Sequence, residues 1–84
     1  MTPEIVRTVV LRHLHEVVPG TSERAIDADA PLNQIGADSL DLLDVTSRSM
    51  QELGVKLPRA EVAHIRTLND LVGVLHRVAS VPTA

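Results

Sequence analysis

The sequence predicts an all-α fold, a four-helix bundle of three longer helices and one short one, and three observations predict it. Apolar residues recur at helical spacing in three separate stretches. Each of those stretches opens on a residue type that caps helix N-termini, and turn residues stop the first two. Phe, Trp and Tyr are all absent, so the core must be built from Leu, Ile, Val and Ala. An aliphatic core suits helix-on-helix packing better than a small β-sandwich.

The first helix is expected over residues 3–18, with Thr2 as N-cap, Pro3 at the first helical position and Glu4 in the first turn. Ile5, Val6, Val9, Val10, Leu14, Val17 and Val18 follow at helical spacing, and Pro19-Gly20 stops the run. His13 and His15 are two apart, point to different faces and make no helical metal pair. Both read as surface or boundary residues. Residues 21–37 form a long connection, which in a compact domain needs a reason. Ile26, Leu32 and Ile35 supply anchors to the core, and Pro31–Gln34 suits a short turn.

The second helix is expected over 39–53, with Asp38 as N-cap and Asp41 reaching back in a capping-box arrangement. Leu42, Val45, Thr46, Ser49 and Leu53 share its inward face, while Leu40, Leu43, Ser47 and Met50 fall toward a more exposed one. Gly54 ends it at the position that favours a left-handed residue. A short third helix over 59–65 turns Val62 and Ile65 inward. The fourth, over 68–80, starts from a Thr67–Asp70 capping pair and buries Leu68, Leu71, Val72, Leu75 and Val78 or Ala79. Residues 81–84 should fray.

The whole chain, 1–84, is room for one domain. There is no cysteine, so neither a disulfide nor a thiolate–metal cluster supports the fold, and a thiol-free chain suits the cytoplasm. No segment reads as a signal peptide, and no apolar run approaches the roughly 18 residues of a membrane span. The lack of aromatic stacking platforms and the net charge of −3 argue against nucleic acid as a partner.

The charge is unevenly placed. Asp38, Asp41, Asp44 and Glu52 face a single base, Arg48, within residues 38–53, and elsewhere acids and bases cancel. That segment is either a docking surface for basic partners or a solvated helix face.

One motif carries chemistry. Gly36-Ala37-Asp38-Ser39-Leu40 lies where the long loop meets the second helix. Gly36 permits a tight approach, Asp38 caps, and Ser39 sits in the first turn with its hydroxyl exposed. A phosphodiester there would face free N–H groups and the helix dipole, worth roughly 0.3–1 kcal/mol at an exposed site. The plainer alternative is a serine that is only part of a cap. A hydrolase nucleophile needs Gly-x-Ser-x-Gly on a strand-to-helix turn with a triad, and the second glycine, the strands and the triad partners are missing. The P-loop pattern is also missing.

Gly36-Ala37-Asp38-Ser39-Leu40-Asp41 resembles the signature of acyl carrier proteins, whose serine receives 4′-phosphopantetheine from coenzyme A. The resemblance continues through Gly54-Val55-Lys56-Leu57-Pro58, Glu61-Val62 and Ile65-Arg66-Thr67-Leu68-Asn69-Asp70-Leu71, and upstream through Pro31-Leu32-Asn33-Gln34-Ile35. It covers nearly the whole chain and is weakest before Thr21. It implies a bundle of the acyl carrier type, with no catalysis of its own and a covalent arm on Ser39. Intermediates would ride as thioesters on that arm. By the same resemblance Asp38 belongs to the attachment site, and Leu40, Asp41, Leu43 and Asp44 match docking positions, with Ser47, Arg48 and Met50 beside them. The implied partners are a phosphopantetheinyl transferase, an acyltransferase or acyl-activating ligase, a ketosynthase and tailoring enzymes, served by a monomer away from nucleic acid and membrane.

The departures from the family pattern carry information. Fatty acid carriers are usually more acidic along the second helix, where this chain has Ser47, Arg48 and Ser49. Seven Arg against one Lys, with many Ala and Val, is the usage of GC-rich bacterial genomes. Both favour a discrete carrier of a polyketide-type specialised pathway. A peptidyl carrier of a nonribosomal system and a non-carrier interaction module are the alternatives.

Overall fold

The computed structural model describes residues 2–21 and 26–80, so the expected fraying of residues 81–84 lies outside the described residues. Helix α1 (Pro3–Val17) begins where the Thr2 hydroxyl accepts from the Ile5 N–H at 3.3 Å. It stops one residue short of the expected end. Val18 is extended because the following proline disfavours helical geometry, although its N–H still reaches the Leu14 carbonyl at 2.8 Å. Just beyond, the single Thr21 hydroxyl proton goes to the Val18 carbonyl at 2.8 Å. The same oxygen is therefore left to accept from His15 Nδ1, 3.0 Å away.

The loop returns through a 3₁₀ turn, Leu32–Ile35, and helix α2 (Ser39–Leu53) ends at Gly54 with φ 70°, as a left-handed C-cap. Helix α3 is shorter than expected, Arg59–Val62. Beyond it the hydrogen bonds tighten to the three-residue step, His64 to Glu61 and Ile65 to Val62, each 3.2 Å, so the helix does not propagate to Ile65. Helix α4 (Leu68–Ser80) starts from a reciprocal pair: the Asp70 N–H donates to Thr67 Oγ1 at 3.0 Å, and Asp70 Oδ2 accepts from the Thr67 N–H at 3.2 Å.

The four-helix, all-α expectation holds, and among the described residues no strand forms beyond an isolated Pro31–Thr67 bridge. Helix α1 packs against both α2 and α4. Val6, Val10 and Leu14 of α1 meet Val45 of α2 and Leu71 and Leu75 of α4, with Leu32 and Ile35 delivered by the loop. Ile5, read as part of the apolar stripe, is half exposed. Thr46 and Ser49 are fully buried, and neither hydroxyl has a hydrogen-bond partner among the described residues. Each such orphan costs about 1–3 kcal/mol.

Charged side chains tie α1 to α2 along the rim of the core. Glu52 accepts from Arg12 at 2.9 Å and lies 2.8 Å from His13 Nε2. Arg48 bridges Asp44 at 2.8 Å and Glu16 at 3.3 Å. The Arg12 hydrogen bond, helped by His13, holds the Glu52 carboxyl below its ordinary value against partial desolvation. A depressed carboxyl stabilises the fold above its unfolded pKa, 4.5, and loses that contribution as pH falls through the folded value. Glu52→Gln should therefore lower the thermal midpoint at neutral pH, and the gap to wild type should close as melts are repeated below the usual glutamate range. A gap that stays constant with pH would show that the ion pairs add nothing.

Candidate functional site

The site is assembled where the loop hands over to α2. Gly36 takes φ 92°, a left-handed conformation, which turns the chain so that Ala37 is buried and its N–H reaches the Leu32 carbonyl at 3.1 Å. Asp38 is extended and caps α2 as the sequence predicts. Its Oδ1 accepts from the Asp41 N–H at 2.9 Å, while Asp41 Oδ2 accepts from the Asp38 N–H at 3.2 Å. Two donors are satisfied this way. The Ser39 and Leu40 N–H groups remain without an acceptor among the described residues and point out of the first turn.

Ser39 is the first residue of α2 and is exposed, and among the described residues its hydroxyl has no hydrogen-bond partner. It opens on a groove of about 680 Å³ with Asn33, Gln34 and Arg66 on its walls and Leu42 and Ile65 along its floor. The opposite wall is fixed by backbone. The Leu32 N–H donates to the Arg66 carbonyl at 2.8 Å, and the Asn69 N–H donates to the Ala28 carbonyl at 3.0 Å. These residues fit a phosphodiester on Ser39. The hydroxyl is unencumbered, two free N–H groups lie beside it, and the groove is open enough for a flexible arm.

The other residues singled out in the sequence divide in two. Leu40 is 75% exposed and Leu43 52%, so neither packs into the bundle. Asp44, Ser47 and Arg48 are also exposed, with Arg48 drawn back onto Asp44 and Glu16. Met50 differs from its expected place. It is half-buried against the core, and its sulfur accepts from the Leu57 N–H at 3.0 Å. It forms the floor of a second, apolar groove of about 360 Å³ shared with Leu43, Leu57, Arg59, Val62 and Ala63. Sequence reading names Leu57 in the motif and turns Val62 inward, but does not place either, or Arg59, beside Leu43 and Met50, because the chain must fold back past Gly54 to bring them there. The groove walls Asn33, Gln34 and Arg66 were also missed as site residues, although the first two stood in the motif leading to the serine.

A family model described as a phosphopantetheine attachment site matches residues 9–75. Among relatives, the chain is 26% identical over 68 residues to the polyketide biosynthesis acyl-carrier-protein AcpK of Bacillus subtilis, covering 81% of this chain and 83% of that one. It is 31% identical over 74 residues to an acyl carrier protein of Zymomonas mobilis, covering 88% and 90% of the two chains. Among solved structures, one chain of the curacin-pathway HMG synthase in complex with acetyl donor-ACP matches with a TM-score of 0.78 at 21% identity, covering 89% of this chain and 96% of that chain. The acetyl actinorhodin acyl carrier protein of Streptomyces coelicolor matches with a TM-score of 0.70 at 22% identity, covering 95% and 92%.

Because the Asp38 carboxylate satisfies a donor that no backbone group can reach, Asp38→Ala should cost about 0.5–2 kcal/mol of stability. Urea unfolding checks this. Unchanged stability would mean that water replaces the cap without loss.

Proposed function

The chain belongs to the phosphopantetheine attachment-site family of acyl carrier proteins, and on that premise we propose that Ser39 bears the arm. As a family member it is a carrier without catalytic activity of its own, and its cofactor is covalent 4′-phosphopantetheine. When bound, that group supplies the thiol on which acyl cargo is held as a thioester. The cysteine-free chain cannot supply one itself.

The observation that carries the assignment is the exposed, unpartnered Ser39 hydroxyl at a capped helix start beside an open groove. Ser49 is fully buried, and Ser47 lies mid-helix, away from any free N–H groups. Attachment forms a bond from the Ser39 oxygen to the phosphorus nearest the pantetheine of coenzyme A. The bond to the nucleotide portion breaks, and the hydroxyl proton leaves with it. Asp38 serves by fixing the first turn, which holds the hydroxyl out.

The docking face in this reading is Leu40 and Leu43, rimmed by Asp41, Asp44, Ser47 and Arg48, with Met50 underneath. An apolar anchor inside a polar rim is the ordinary anatomy of a transient interface. Its clients are a phosphopantetheinyl transferase and the acyl-loading, condensing and tailoring enzymes of one pathway. A polyketide-type pathway is favoured by the resemblance to the Bacillus polyketide carrier and by Arg48, which offsets the negative charge that Asp44 would otherwise present.

Incubation with coenzyme A and a promiscuous phosphopantetheinyl transferase should add one arm, seen by intact mass, and Ser39→Ala should abolish it. Addition at another residue, or none, overturns the assignment. Leu43→Glu should leave the fold intact, since the side chain is half exposed, yet cut kcat/KM for arm transfer about ten-fold, a loss of about 1.4 kcal/mol of binding. An unaltered rate would move the docking face elsewhere.

A further inference from the structure

Among the described arginines, Arg12, Arg48 and Arg77 are in ion pairs and Arg7 donates to Asn69 at 2.8 Å, whereas Arg59 and Arg66 have no side-chain partner; Arg59 lines the apolar groove beside Met50, and Arg66 the groove of Ser39. Arg66 is nevertheless held in place. Its carbonyl accepts from Leu32, and its N–H donates to Asp70 Oδ2 at 3.1 Å. Both bonds use the backbone of Arg66 rather than its side chain, so the guanidinium is left unpaired on a fixed mount. Among the described residues it is the one cation lining the groove that Ser39 opens on, and the one carboxylate in that lining, Asp38, is engaged by the Asp41 N–H.

A phosphodiester on Ser39 would stand on the most acidic segment of the chain, with Asp41 and Asp44 following along the same helix. Two free N–H groups favour it, but carboxylates nearby oppose it. A guanidinium across the groove supplies the missing charge in a geometry suited to two phosphate oxygens. A carboxylated cargo is the other anion that could come near. It sits at the far end of a flexible arm, whereas the phosphodiester is fixed at Ser39, inside the groove. Resting on the Ser39 assignment, we infer that the Arg66 guanidinium pairs with the phosphodiester and directs the arm into the groove over Leu42 and Ile65. Arg66 is thus a positioning residue. The arm then leaves away from Leu40 and Leu43, and the docking face stays clear while cargo is carried.

The test uses ¹⁵N-labelled protein converted with coenzyme A, with intact mass recording the arm. No arm at Ser39 overturns the attachment and the pairing together. In fully modified wild type, the Arg66 Nε–H resonance should shift relative to the apo protein. The ³¹P resonance should move in Arg66→Gln and stay near wild type in Arg66→Lys. A spin label on the arm thiol should broaden the Asn33 and Gln34 amides more than that of Leu43, a difference lost in Arg66→Gln. Because the Arg66 side chain makes no hydrogen bond or ion pair among the described residues, equal thermal midpoints of the apo forms are expected and exclude a structural cause. An arm present at Ser39 with the Arg66 Nε–H unmoved and one ³¹P position in all three proteins overturns the pairing alone. Broadening that peaks at Leu43 in wild type overturns it as well.

Discussion

The hydrogen bond from the Leu32 N–H to the Arg66 carbonyl, 2.8 Å long, fixes more of this molecule than its strength implies. It closes the long loop onto the start of α4, and the Pro31–Thr67 bridge and the Asn69-to-Ala28 bond run beside it. Loop closure over this length costs entropy that a single bond of about 1 kcal/mol does not repay. Burial of Leu32 and Ile35 makes up the difference, since each is nearly sealed from water. The polar and apolar contributions need each other. Without Leu32 and Ile35 the loop loses its buried anchors, and without the backbone bonds its polar groups would be stranded against the core.

From that fixed loop the site follows by short steps. The 3₁₀ turn ends at a left-handed Gly36, Ala37 tucks beneath, and Asp38 opens α2 at a set angle. The formal charge of the segment misdescribes the surface that results. All four of its acids are engaged: Asp38 and Asp41 with each other's backbone N–H, Asp44 with Arg48, and Glu52 with Arg12 and His13. What stands free is Leu40 and Leu43. A partner meeting α2 meets an apolar pair first, and charge acts mainly on the rate and orientation of approach.

Local chemistry made much of this legible. Thr2, Asp38, Gly54 and the Thr67–Asp70 pair mark helix ends because a cap is written within three or four residues. Ser39 was legible for the same reason, as it lies one residue from a cap and within a short motif. The misses share the opposite cause. Helix α3 stops at Val62 because its continuation tightens into 3₁₀ steps, and no residue there spells a stop. Periodicity alone places Met50 on the exposed face, but the segment Val55–Leu57 folds over it. Arg66 is 27 residues from Ser39 in sequence, so only the loop-to-α4 contact brings them to one groove.

The groove and the core share a wall. Leu32, Ala37 and Leu42 line the Ser39 groove on one side and, on the other, a void among Val10, Leu14 and Leu71. That void has about 10 Å³ of free volume, at the lower limit for a single water molecule. An acyl chain has no room there as the bundle stands. Entry would require Leu42, half-buried on α2, to move and the aliphatic side chains behind it to repack. Leu, Ile and Val without aromatics make such a core, one whose parts are small and similar. The wall is therefore closed by packing alone, since Leu32, Ala37 and Leu42 carry no polar side-chain group that could latch it, and its backbone bonds hold the loop rather than α2. The rigid side of the groove is the Arg66 side, and the side free to yield is Leu42.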